Sequence, residues 1–366
     1  MLTLLKNLEC YCPEYIGKND ILVCGSKIYK IEPKINNHID EGSIDKIYDL
    51  SGCFAFPGLI DQHMHFIGGG GEQGFASRIP EIEVGEIYKS GISTAIGVLG
   101  ADGVSKTLES LYARAKGLQL QGLTTYIYAG SYSMPPVTIT GDVTRDLVFI
   151  DKVIGVKTAL SDYRSSNAKE DMLIKIAAKA LLGGMISGKA GVVHTHIGDG
   201  KKGLSMLLGV LENTDLPINQ FVVTHTNRNN NLFLQAKKFL KSGGNIDLTA
   251  GEIEGISVPD ALTGLLKDGV DINNVTISSD GNAGFPNGRT SCVGALYEDI
   301  KSCIVNKGIH PEISFCPVTK NVAKILKLYP RKGTLKQGSD ADILITDSSF
   351  NIVKLFCMGN ISFERI

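Results

Sequence analysis

The sequence predicts an α/β protein: a (β/α)8 TIM barrel joined to a small β-sandwich-like domain that both chain ends build together. Three observations lead there. Eight apolar, strand-like runs recur along the middle of the 366 residues, roughly 25 to 35 residues apart, which is one strand plus one helix. The two ends of the chain carry only short alternating segments broken at Gly and Pro. Titratable residues gather at the ends of the apolar runs, where a barrel concentrates its chemistry on one face.

At the N-terminal end, ILVCGSKIYKIEP reads as half-buried antiparallel strands, and residues 1–53 are assigned to the first part of the small β domain. The barrel is assigned to residues 54–334. Its strand-like runs are CFAFPGLI, STAIGVL, TTYIYAG, VIGVKTAL, GVVHTHI, FVVTH, GNIDLTA and NVTISS. SKTLESLYARAKGLQL, LFLQAKKFLKS and PDALTGLLKD between them place apolar residues near the 3.6-residue period of a helix. DILITDSSFNIVKLFCMGNISFERI returns to the texture of the N-terminal end, and residues 335–366 complete the small domain.

Composition limits the function classes. Apolar residues make up 43% and charged residues 20%, the balance of a globular chain and not of a disordered one. The net charge of −1 gives no general pull toward nucleic acid or anionic membrane. No apolar run approaches the length of a membrane span, and MLTLLKNLECY turns polar too soon for a signal peptide. The expectation is a cytoplasmic protein. The eight scattered cysteines, without a C-x₂-C pair, read as buried thiols.

The run ends hold the candidate chemistry. His63 and His65 are two apart, so on an extended segment their imidazoles share a face. A lone buried histidine is more often a hydrogen-bonded core residue than a ligand; a pair after PGLIDQ favours metal. His194 and His196 repeat the spacing, and either could face the barrel mouth. His225 ends the next run. Imidazoles delivered by separate strands to one face suit a divalent metal. His38 and His310 lie outside the barrel runs and read as surface residues. Asp280, in ISSDGN, could be a turn residue; at the end of the eighth run it is better read as ligand and base. Lys157 interrupts VIGVKTAL, where a bare ammonium is costly. Burial lowers the pKa of such an amine, and the neutral amine can add CO₂ to form a carbamate able to bridge two metals.

These segments, in order and spacing, resemble the isoaspartyl (β-aspartyl) dipeptidase family of the amidohydrolase superfamily. PGLIDQHMHFIGGGGEQG, GSYSMPP with TITG, IGVKTALSDYRS, THIGD, THTNRN and SSDGN carry the likeness, which covers nearly the whole chain. The resemblance implies a zinc metallopeptidase that hydrolyses the β-aspartyl amide bond of dipeptides through a metal-bridging hydroxide. His63 and His65 would bind one Zn²⁺ and His196 and His225 the other. Lys157, as a CO₂-derived carbamate, would bridge them, and Asp280 would complete the first site. Tyr132 would donate to the scissile carbonyl. Glu72, on the glycine loop that includes Gly70, would meet the substrate's α-amine, and Arg164 and Arg228 its carboxylates. The family also implies a homo-oligomer. At two positions this chain differs: Ala101 stands where the family has Thr, and Gly284 where it has Ser. Restoring both hydroxyls is expected to lower KM. Two other functions compete: another binuclear amidohydrolase activity, such as a cyclic-amide hydrolase or N-acyl amino acid deacylase, and a catalytically silent barrel serving as a binding subunit.

Overall fold

Two eight-stranded sheets carry the fold of this computed structural model, which describes residues 1–35, 43–284 and 290–365. The first sheet begins with β1 (Leu2–Tyr11), β2 (Tyr15–Cys24), β3 (Lys27–Glu32), β4 (Lys46–Asp49) and β5 (Phe54–Pro57). The second holds β6 (Leu59–Met64), β7 (Ile92–Gly97), β8 (Thr124–Ala129), β9 (Val153–Leu160), β10 (Val192–Ile197), β11 (Phe221–Thr224), β12 (Asn245–Thr249) and β13 (Val275–Ser278). The chain then returns to the first sheet with β14 (Ile343–Thr346), β15 (Ile352–Cys357) and β16 (Asn360–Glu364).

In the terminal sheet the order is β16-β15-β14-β5-β1-β2-β3, with β4 also paired to β1. The two chain ends meet where β14 runs antiparallel to β5, Ile343 opposite Pro57 and Thr346 opposite Phe54. Leu5, Leu8, Ile21, Val23, Ile343, Ile345 and Phe356 form its own apolar core. The run CFAFPGLI, read from sequence as one barrel strand, is therefore two strands in two sheets. Gly58 makes the crossing. Its N–H bonds Asp342 O, and a Cβ there would meet Ser93 Oγ at 2.4 Å, so only glycine passes so close to β7.

Neighbours β6 to β13 pair in sequence order and in parallel. Every residue of these strands except Thr124 and Tyr126 is buried, the mark of strands covered on both faces. The sheet closes on itself through a parallel bridge from Met64 to Gly281, and Ser279 donates its main-chain N–H and its hydroxyl to the Asp61 carboxylate. Around the barrel lie α1 (Val84–Lys89), α2 (Leu108–Leu120), α3 (Val143–Phe149), α4 (Glu170–Ser187), α5 (Ser205–Glu212), α6 (Asn230–Lys241), α7 (Val258–Lys267), α8 (Ala295–Val305), α9 (Pro311–Phe315) and α10 (Lys320–Ile325). Thr107, Asp142, Asn229 and Ser257 cap α2, α3, α6 and α7 by accepting a main-chain N–H, each worth about 1 kcal/mol. The Thr107 cap starts α2 three residues later than the sequence pattern suggests, which leaves Lys106 outside the helix. His310 is exposed and pairs with Glu312; His38 lies outside the described residues. Among the described residues, no helix is long and apolar enough to cross a membrane.

Candidate metal centre

At the C-terminal ends of the barrel strands, residues remote in sequence come together. β6 carries His63 and leads directly into His65; β9 carries Lys157 and β10 His196; His225 and Asp280 follow β11 and β13. His63 Nε2 lies 2.9 Å from Lys157 Nζ and 3.3 Å from Asp280 Oδ1. His65 Nε2 approaches the same carboxylate oxygen at 3.1 Å. The ring of His225 lies 5.1 Å from that of His63 and 4.6 Å from that of His196. His63, His225 and Asp280 each offer one ligand atom, all within 4.8 Å of one another, and could hold a metal ion. His225 and Asp280 sit at φ 63° and 47°, a left-handed conformation costly for residues with a side chain. Such strain persists at sites that the surrounding structure fixes for a purpose.

Electrostatics point the same way. Burial pushes His63 and His225 well below the ordinary imidazole range, lowers His65, and brings His196 to about 3, so all four rings are neutral bases. Burial also brings Lys157 down to about 7. For Asp280 burial opposes the charge, but the His65 bond and the nearby Lys157 hold its carboxyl below its usual value. Neutral imidazoles beside a carboxylate fit a divalent metal, and His63, His225 and Asp280 offer such donors within 4.8 Å of one another.

Partners behind the candidate ligands set their tautomers, and of these the sequence reading missed Asp162 and Thr249. His196 Nε2 lies 2.9 Å from Asp162 Oδ2; its proton there leaves the lone pair on Nδ1, which lies 2.9 Å from the Tyr132 hydroxyl. His225 Nδ1 bonds Thr249 Oγ1 at 2.7 Å, leaving Nε2 to face the site. His63 Nδ1 lies 2.8 Å from His194 Nε2. His194 faces the interior one layer deeper, opposite Lys157 in register and behind His63, whereas His196 lies nearer the mouth. Asp162 also holds Arg164 by both its Nε and its Nη2, at 3.0 and 2.8 Å. Burial would push Asp162 up, but the His196 and Arg164 bonds outweigh it and keep the carboxyl far below its usual range.

Charged groups from the βα loops rim the site. Arg164 Nη1 and Glu72 Oε1 are 3.3 Å apart, and the Arg164 guanidinium lies 5.2 Å from the Tyr132 ring. Arg228 reaches Asp199 at 3.4 Å, while its buried Nε has no partner among the described residues. Burial raises the Tyr132 phenol, which therefore stays a donor. Gly70 bridges Arg78, and Gly284 closes against the same loop: a Cβ on Gly284 would meet Gly70 Cα at 2.9 Å. A serine at 284 would therefore require the glycine loop to shift, because its Cβ falls in space that the loop occupies.

No family model matches the chain. A β-aspartyl dipeptidase from Fervidobacterium islandicum AW-1 is 41% identical, with a TM-score of 0.94 over 100% of this chain and 97% of that one. The same enzyme in complex with β-Asp-Leu aligns with a TM-score of 0.93 at 40% identity over the same shares of both chains. A dihydroorotase from Pediococcus pentosaceus is 25% identical over 189 residues, 49% of this chain, and the match spans only 41% of that protein's length. With full-length identity and fold in agreement, the chain belongs to the β-aspartyl dipeptidase family of the amidohydrolase superfamily.

Proposed function

We propose that the protein is a binuclear zinc hydrolase that cleaves the β-aspartyl amide bond of dipeptides. The observation that carries this reading is the Glu72–Arg164 pair, 3.3 Å apart, beside Tyr132 and the histidine cluster. In a β-linked aspartyl dipeptide the free α-ammonium and α-carboxylate share one carbon. An adjacent carboxylate and guanidinium form the matching pair, one partner for each charge. Arg228, with a free buried N–H, would take the carboxylate of the leaving residue.

In this reading His63, His65 and Asp280 would hold one zinc, His196 and His225 the other, and Lys157, carboxylated by CO₂, would bridge them. When bound, the pair supplies Lewis acidity at the carbonyl and lowers the pKa of water to about 7. The chain's own groups do the rest. Tyr132 donates its phenolic proton bond to the scissile carbonyl oxygen as negative charge develops there. Asp280 accepts the proton of the attacking water and returns it to the leaving amine. Asp162 fixes His196 and Arg164 together, so the metal ligand and the substrate anchor keep one geometry.

The test is metal analysis together with hydrolysis of β-Asp-Leu, the ligand bound to the Fervidobacterium enzyme, against α-Asp-Leu. We expect close to two zinc ions per chain and at least tenfold preference for the β-linked isomer. An arginine left without its carboxylate costs about 1.5–3 kcal/mol, which sets that factor. Equal rates on both isomers, or preference for a cyclic amide, would sink the dipeptidase reading. Absence of metal after zinc supplementation would sink the metal chemistry.

A further inference from the structure

Lys106 lies between β7 and α2, just before the Thr107 cap, and its side chain turns inward to 7% exposure. Its ammonium donates to four main-chain carbonyls: Ile67 at 2.8 Å, Gly68 at 2.6 Å, Gly69 at 3.1 Å and Ile79 at 2.8 Å. Among the described residues it has no bonded carboxylate. Burial works against its charge and outweighs Asp102, Glu72 and Glu81, which favour that charge from beyond bonding distance; a buried ammonium without a bonded counter-ion is costly. Here carbonyl dipoles replace its hydration shell, as rings of carbonyls do for a cation in a channel filter.

Three consecutive carbonyls do not converge in an extended chain, where successive peptides alternate. They converge here because Gly68 takes φ 73°, and a Cβ at that residue would meet Ile79 O at 2.1 Å. The glycine run that follows the His65 ligand is thus wrapped around the Lys106 ammonium. The same loop goes on through the Gly70–Arg78 bridge to Glu72, which faces Arg164. With the cation removed, four carbonyls would point at one another and repel.

We propose that Lys106 is a positioning residue: its carbonyl-caged ammonium holds residues 67–79 in the conformation that sets Glu72 opposite Arg164, and so governs the grip on the substrate's α-ammonium. The role of Glu72 rests on the dipeptidase reading above; the cage does not. Because the four partners suit any small N–H cation, an emptied cage should accept ammonium.

The experiment uses the full-length, zinc-loaded chain with Lys106→Met and Lys106→Ala. For Lys106→Met, KM for β-Asp-Leu rises at least tenfold, kcat falls less than threefold, and metal content is unchanged. Deuterium uptake by amides 68–79 quickens at least tenfold. For Lys106→Ala, prepared in ammonium chloride, ammonium slows that uptake and lowers KM at least threefold, whereas tetramethylammonium at equal ionic strength does neither. Unchanged KM in folded Lys106→Met, or a loss confined to kcat, would overturn the proposal. So would loop exchange in Lys106→Ala that ignores ammonium. That last measurement needs no substrate: if the wild-type chain ignored β-Asp-Leu, the function would fall while the ammonium-dependent exchange still decided the cage.

Discussion

Asp280 accepts approaches from two imidazoles at once, His65 at 3.1 Å and His63 at 3.3 Å, and does so from a strained left-handed backbone at φ 47°. A carboxylate so placed can bind a metal and still exchange a proton; an amide can do only the first, and weakly. Asp280→Asn should therefore lower kcat on β-Asp-Leu by about 10²–10⁴-fold while the far-ultraviolet spectrum is kept. A loss below tenfold with zinc retained would show that another group moves the proton. At this scale the sequence was legible where spacing encodes direction: His63 and His65, two apart, share a face. The same rule made His194 and His196 indistinguishable, since both turn inward, and only depth separates a ring that faces the mouth from one that backs His63. Lys106 was invisible because its partners are carbonyls, which every residue owns.

Strands place the candidate ligands, while the loops after them carry the charged groups at the rim, and the two were not equally readable. All eight barrel runs are strands because their burial on both faces leaves a continuous apolar signature. The first run misled because the chain leaves the terminal sheet at Pro57 and enters the barrel at Leu59 with no change in apolar texture. Loops carry no such period. Asp162, just past the end of β9, was overlooked although it joins a metal-ligand candidate to a substrate arginine. The loops after β7 and β13 hold Ala101 and Gly284, and the structure separates the two positions. Ala101 is partly exposed. Ala101→Thr should lower KM for β-Asp-Leu by about two- to tenfold, the worth of one hydrogen bond. Gly284→Ser should raise KM, since its Cβ would press Gly70 at 2.9 Å and displace the loop that carries Glu72. Steady-state kinetics on the two single variants decide this: a lower KM for Gly284→Ser would show that the glycine loop yields without harm to the site.

The whole molecule depends on a join between its two sheets, made within the segment KGTLKQGSDADILI by which the chain returns to the small β domain. Lys332 is almost fully buried, and its ammonium bonds Asp342 at 2.5 Å, Asp340 at 3.0 Å and, in barrel strand β8, Thr124 Oγ1 at 2.8 Å. Asp340 also receives Lys27 of β3 at 2.6 Å. One cluster thus ties the barrel to strands from both chain ends, and removal of its central cation leaves the buried Asp342 carboxylate without an ion partner among the described residues, while Asp340 keeps Lys27. Lys332→Met should cost about 3–5 kcal/mol in urea denaturation, with kcat per zinc-loaded folded molecule within about twofold of wild type. Burial works against the Lys332 charge, but the two aspartates outweigh it and raise its pKa above the ordinary 10.5. A raised lysine stabilises fully below its unfolded pKa and ceases to do so as pH climbs through the folded value. Asp340 moves the other way: burial raises it, yet Lys332 and Lys27 hold it below the ordinary 3.8, so its contribution is present above that value and disappears as pH falls through the folded pKa. The stability gap between wild type and Lys332→Met should accordingly be widest between about pH 5 and 10 and shrink on both sides. A gap under about 1 kcal/mol would mean the cluster does not hold the sheets together. A gap that stays constant from pH 3 to pH 11 would mean that lost packing of the lysine stem, rather than lost charge, accounts for the destabilisation.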